Sequence, residues 1–243
     1  MTSIDRRNML RAIAFAMVIA ADCAPLAAAD SLRSRLRQGR EPAGELAHLT
    51  GLGNQLALTV DDGMNTDVVA AYAAFCRDSG TRLTFFVNGV HESWTVNAPA
   101  LRPMVDSGQI QLANHTWSHP DITQIGSDEV AEQIRRNREF LLNMYGVDGT
   151  PYFRPPYGHH NSETDRIAAE FGYPTIALWS SSIEDSQLLD ESQLITNAEN
   201  CFKAGQIVLA HANLPPVTHC YGQLLDIIRS RELQTVTLDD VFR

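Results

Sequence analysis

Two adjacent carboxylates, Asp61 and Asp62, stand at the end of an apolar run, Leu56 to Val60, and are followed at once by Gly63. Such a pair can divide proton transfer and metal binding between its members if both reach one site. On a regular strand neighbouring side chains point to opposite faces, so both can serve one site only where the strand is ending. The competing reading is a turn or a helix cap before Gly63. His115 and His119 are four residues apart, which puts two imidazoles on one side of a helical turn. With a carboxylate from another element, two His make a divalent-cation site with positions left open for water and substrate. Arg154-Pro155-Pro156-Tyr157-Gly158 adds a cation, Asp185 a further carboxylate, and His211 a group able to exchange protons near neutral pH. Alone, His211 reads as a satisfied core histidine; its interest comes from the company it keeps.

These residues share a location. Short apolar runs at 56–60, 84–87, 110–113, 152–153, 175–178, 207–210 and 235–237 read as buried strands. Helical spacing at 67–79, 98–107, 127–145, 162–171, 191–203 and 221–230 falls between them, with Gly80, Gly108 and Gly172 as stops. About seven strands alternating with helices predict a parallel sheet under outer helices, either an open doubly wound sheet or a barrel. Asp61 and Asp62 follow the first strand, His115 and His119 the third, Arg154 the fourth, Asp185 the fifth and His211 the sixth. The carboxyl ends of parallel strands are where α/β folds carry their sites.

The chain has 243 residues, 44% of them hydrophobic and 20% charged, which predicts a globular protein. A net charge of −10 gives no support to a nucleic-acid-binding surface. Residues 1–29 read as an export signal: Arg6-Arg7 precede an apolar run that ends in Ala27-Ala28-Ala29, a twin-arginine pattern. An uncleaved membrane anchor is the alternative. Residues 30–53, Arg-rich and then Pro- and Gly-containing, read as a tether and linker, and 54–243 as one catalytic domain. Cys201 and Cys220 form a bridge, or else these and Cys76 are buried thiols. His159 and His160 read as solvated; Trp94 and Trp117 read as packing residues, with sugar platforms as the alternative.

In combination, the motifs resemble those of the polysaccharide deacetylases with a NodB-homology domain, carbohydrate esterase family four. Thr59-Val60-Asp61-Asp62-Gly63 is similar to the first family motif, with Val60 where Phe is usual. Asn114-His115-Thr116-Trp117-Ser118-His119-Pro120 resembles the second, Arg154-Pro155-Pro156-Tyr157-Gly158 the third and Leu209-Ala210-His211 the fifth. The resemblance implies a distorted (β/α) barrel of fewer than eight strands. It implies that Asp62, His115 and His119 hold one divalent metal, zinc above Co2+, Mn2+ or Ni2+. It further implies that Asp61 is the general base, oriented by Arg154, and that His211 is the general acid, tuned by Asp185. Leu209 would receive the acetyl methyl, Trp179 would lie at the substrate groove, and the Tyr157 backbone N–H would help stabilise the oxyanion.

The fourth motif departs from the family. Trp179-Ser180-Ser181-Ser182-Ile183-Glu184-Asp185-Ser186 has Ser182 at a usual Asp and Ser186 at a usual aromatic position. The expectation is a changed substrate preference with the chemistry kept; Glu184 stands as a possible replacement carboxylate. The motifs and the departure in the fourth leave three principal functions. They are N-deacetylation of a polysaccharide such as peptidoglycan or a chitin-like polymer, O-acetyl esterase action on a glycan such as xylan, and a catalytically silent glycan-binding wall protein. The expected partner is an acetylated glycan, with no nucleic acid and no stable protein partner.

Overall fold

The structure, a computed structural model, describes residues 43–51 and 53–243. Its strands are β1 (Gly44–Leu46), β2 (Gln55–Asp62), β3 (Leu83–Val87), β4 (Ile110–Asn114), β5 (Tyr152–Phe153), β6 (Thr175–Ala177), β7 (Ser181–Ser182), β8 (Ile207–His211) and β9 (Gln234–Val236). The helices are α1 (Thr66–Ser79), α2 (Ser93–Val96), α3 (Ala98–Asp106), α4 (Ser127–Tyr145), α5 (Ser162–Glu170), α6 (Glu191–Cys201), α7 (Tyr221–Ser230) and α8 (Leu238–Phe242). Each of the seven apolar runs is a strand. The sheet has nine, because β1 and β7 are added. Gly44-Glu45-Leu46 and Ser181-Ser182 carry no apolar period, and only their pairing partners make them strands.

The order is β1-β6-β5-β4-β3-β2-β8-β7, with every pairing between these strands parallel. β9 shares β2 with β3: Gln55–Ala57 face β9, and Thr59–Asp62 face β3. The sheet curls into the distorted (β/α) barrel expected. Its two edges are brought together by residues 44–49, which the sequence places in a linker. Leu178 N–H donates to the Leu46 carbonyl at 2.8 Å, Leu49 N–H to the Gly205 carbonyl at 3.0 Å, and His48 bridges Gln206 in antiparallel fashion. Leu46 and Leu49 are buried by these links. Residues 1–29, read as an export signal, and the Arg-rich stretch at 33–40 lie outside the described residues. No described helix is long and apolar enough to cross a membrane.

The two-residue period of the strands sorts the core. Outward residues Leu56, Val60, Phe85, Val87, Leu112, Val208 and Ala210 pack under the helices. Ala57, Phe86, Ala113, Tyr152, Ala177 and Ile207, one from each of six strands, fill the interior with Leu238 and Phe242 of α8. The same period continues upward, to Asp61 on β2, His211 on β8, His115 beyond β4 and Arg154 beyond β5. Cys76, Cys201 and Cys220 are free and buried, so Cys201 and Cys220 do not pair. Cys201 Sγ instead donates to the Ser182 carbonyl at 2.9 Å.

Candidate active site

The strand period alone would send Asp61 inward and Asp62 outward. Asp62 escapes because its φ is +70°, in the left-handed region, which swings its carboxylate back over the strand end. Gly63 follows at φ +91°, and a Cβ there would lie 2.5 Å from the Trp94 indole. Trp94 in turn donates Nε1–H to the Asp62 carbonyl at 2.9 Å. Trp94 is thus a fully buried clamp on this turn and no sugar platform.

His115 and His119 do not share a helical turn. They stand in the loop after β4, with Thr116 at φ +69° and His119 at φ +60°. The loop still stacks the imidazoles edge to face, 4.9 Å between centroids. Non-glycine residues held at positive φ cost about 1–3 kcal/mol each and gather where a site imposes them. Asp62, Thr116, His119 and Tyr157 are four such residues, all at this end of the barrel.

The Nε2 atoms of His115 and His119 lie 3.3 and 3.5 Å from Asp62 Oδ1. Ligand atoms from the three residues fall within 4.8 Å of one another. Asp62 Oδ1 is buried and has no hydrogen-bond partner. An orphaned carboxylate oxygen facing two imidazoles is a poor arrangement for a protein alone and suits a shared cation. His115 Nδ1 is 2.6 Å from the Arg154 carbonyl; a proton there leaves the Nε2 lone pair free for a ligand. Burial, then the neighbouring His115, hold His119 down to about 4, so it is neutral and can ligate. Burial alone would raise the Asp62 carboxyl; His115, His119 and Asn213 outweigh it and hold it well below the usual carboxylate range. The residues present therefore fit a divalent metal.

Asp61 is buried beside this trio, with Oδ2 3.6 Å from His115 Nε2. Arg154, fully buried, donates Nη1–H to Asp61 Oδ1 at 2.6 Å and to Thr59 Oγ1 at 2.9 Å. Nε and Nη2 bond the Ala177 and Leu178 carbonyls, and the guanidinium stacks 3.9 Å from the Phe86 ring. The charge is thus held by four acceptors across β2 and β6, with no freedom to swing away from Asp61.

His211 is gripped twice by Asp185: its Nδ1 lies 2.9 Å from Oδ1, and its backbone N–H donates to Oδ2 at 2.9 Å. Burial would lower the imidazole, but the Asp185 hydrogen bond and the charges of Asp61, Asp185 and Asp62 raise it to about 9. A raised value means that the ion pair contributes stability in full below pH 6.5 and loses it as pH rises through about 9. Glu184, exposed and at φ +61°, points away from a replacement role.

Leu209 is buried on β8, two residues before His211. Tyr157 sits at φ +60° in the short turn Pro156–Gly158, its 60% exposed ring edge-on to His119 at 4.6 Å. Trp179 is half-buried, 5.6 Å from the Arg154 guanidinium, and packs so close to Gly158 that a Cβ there would meet it at 3.0 Å. His159 and His160 pair with Asp121 and Asp165, each at 2.9 Å, outside the cluster. Trp117 packs on Phe140 under the Arg136 guanidinium. Sequence reasoning missed Asn213, whose Nδ2–H donates to Asp62 Oδ2 at 2.6 Å. Its position two residues past His211, at the same strand end, was the available signal.

The sequence profile described as "Polysaccharide deacetylase" matches residues 50–176, about half of the chain. The peptidoglycan-N-acetylglucosamine deacetylase PgdA of Listeria monocytogenes is 28% identical over 188 residues, 77% of this chain and 39% of that one. The chain therefore spans about two fifths of that relative's length. The chitooligosaccharide deacetylase of Azorhizobium caulinodans is 25% identical over 173 residues, covering 71% of this chain and 80% of that one. Among solved structures, the Bc1960 peptidoglycan N-acetylglucosamine deacetylase superposes with a TM-score of 0.73 at 21% identity, covering 86% of this chain and 96% of that one.

Proposed function

The chain belongs to the polysaccharide deacetylase family, and from that premise we propose that it is a metal-dependent hydrolase removing acetyl groups from an N-acetylated polysaccharide. The single observation that carries the reading is the placement of two differently held proton-transfer groups, Asp61 on Arg154 and His211 on Asp185, around the Asp62-His115-His119 trio.

Hydrolysis of an acetamide needs an activated water, a stabilised oxyanion and a proton for the leaving nitrogen. A divalent ion held by Asp62, His115 and His119, zinc by the family resemblance, would supply a Lewis acid and make water more acidic. Asp61 accepts the water's proton at Oδ2, because Arg154 occupies Oδ1. His211 carries its proton into the neutral range and releases it to the leaving nitrogen from Nε2, since Nδ1 is engaged by Asp185. The Tyr157 backbone N–H adds a donor to the developing oxyanion, and Leu209 and Trp179 border the acetyl and sugar positions.

With the export signal read from residues 1–29, an envelope glycan such as peptidoglycan is the proposed substrate. Ser186 is exposed where an aromatic residue would offer a stacking wall, which fits a changed glycan preference with the chemistry kept. A silent glycan-binding role leaves the preserved acid, base and metal-ligating set without a purpose.

The test is acetate release by the purified protein on peptidoglycan, N-acetylglucosamine oligomers and acetylated xylan, with and without a chelator. Chelator-sensitive release from an N-acetylated glycan is expected. Release from xylan alone would transfer the assignment to ester hydrolysis, and no release from the zinc-loaded protein would overturn the enzyme reading.

The acid assignment has its own signature. A general acid works only while protonated, so the alkaline limb of the rate profile is expected near pH 9. Asp185→Asn removes the carboxylate that hydrogen-bonds His211 and leaves burial, which lowers the imidazole, opposed only by the charges of Asp61 and Asp62. The limb should move down from about 9, read from the pH dependence of kcat/KM. An unmoved limb would remove His211 from the role of acid.

A further inference from the structure

Asn213 bridges two loops of this site, and its two amide ends face different partners. Nδ2–H donates to Asp62 Oδ2 at 2.6 Å, and Oδ1 accepts the Met64 backbone N–H at 3.1 Å. The second contact fixes the orientation of the first: a backbone N–H can only face the amide oxygen, so the donor end must face the carboxylate. The bridge cannot drift, because Ala212 N–H donates to the Asp61 carbonyl at 3.0 Å and Asn65 N–H to the Ala212 carbonyl at 3.2 Å. The loops after β2 and β8 are therefore stitched by four bonds around one carboxylate.

The consequence lies in which oxygen is left. Asp62 Oδ2 is occupied by Asn213, whereas Oδ1 is buried, without a partner, and faces both imidazoles. We propose that Asn213 is a positioning residue that makes Asp62 present one oxygen only to the divalent cation. It thereby sets both the affinity and the coordination number of the site. Without the amide donor, Oδ2 is free to turn inward and chelate through both oxygens, or the carboxylate loses its fixed rotamer. Outer hydrogen-bond partners of metal ligands change affinity by about 10–100-fold when removed.

This inference rests on the reading of Asp62, His115 and His119 as metal ligands, and the experiment separates the two. Zinc affinity is measured by competition with a chromophoric chelator, and the visible spectrum is recorded with Co2+, for the wild type, Asn213→Ala and Asn213→Ser. Asn213→Ala is expected to bind zinc about 10–100-fold more weakly and to show altered Co2+ bands. Asn213→Ser, whose hydroxyl can still donate, should fall between and serves if the alanine variant does not fold. Equal affinity and an unchanged Co2+ spectrum would overturn the role of Asn213 alone. A lowered urea midpoint with the Co2+ spectrum unchanged would do the same, reducing Asn213 to a structural tie. A wild type that binds neither ion would instead overturn the ligand reading beneath it.

Discussion

Asp61→Asn is expected to lower acetate release by about 10²–10⁴-fold, the range for loss of a general base, while zinc stoichiometry stays at the wild-type value. The separation is possible because Asp61 is not one of the three converging ligands. Asn is nearly isosteric, and its Oδ1 can still accept from Arg154 Nη1, which keeps the buried guanidinium partnered. Thr59 Oγ1 and the Ala177 and Leu178 carbonyls also remain. What is lost is a carboxylate able to take a proton. Zinc content by elemental analysis and acetate release on one preparation decide it; near-normal turnover by metal-replete protein would sink the base assignment.

His115→Ala is expected to abolish both metal binding and turnover. His115 is the central member of the trio, with Nε2 3.3 Å from Asp62 Oδ1 and its ring against that of His119. Two of three protein ligands then remain, and the affinity loss should exceed the 10–100-fold that follows removal of an outer partner. The ring is also buried at 2% exposure and bonds the Arg154 carbonyl, so some stability goes with it. His115→Gln, closer in volume, controls for that loss. Full zinc stoichiometry at unchanged affinity in a folded His115 variant would remove this residue from the ligand set. His119→Ala should behave alike with less structural cost, because its side chain is 26% exposed.

The order of strands and helices, and the end of the sheet where the candidate groups gather, were legible in the sequence. Apolar runs such as Phe85–Val87 and Ile207–Ala210 have no polar interruption because both faces are covered, and glycines such as Gly80 stop the helices between them. Residue types at strand ends then sufficed to gather Asp61, Asp62, His115, His119, Arg154, Asp185 and His211 as candidates. These signals are local, lying within a few residues of the group they announce.

Other features depended on partners far along the chain. Gly44–Leu46 and Ser181–Ser182 are strands only because Thr175–Ala177 and Val208–Leu209 lie beside them, so a linker was expected where the barrel closes. The histidine pair suggested a helical turn, but its loop is held open by positive φ at Thr116 and His119. The Asp62 backbone must also adopt positive φ before adjacent aspartates can serve one site. Asn213 reaches Asp62 across 151 residues, and Arg154 reaches Asp61 across 93. The sequence by itself determined which elements form and which chemical groups stand at their ends, because hydrophobic period and turn chemistry act over short range. Which groups meet, which oxygen of Asp62 stays free and which ring nitrogen of His211 can donate were decided by the closed barrel, because hydrogen bonds between loops distant in sequence exist only once the strands have brought them together.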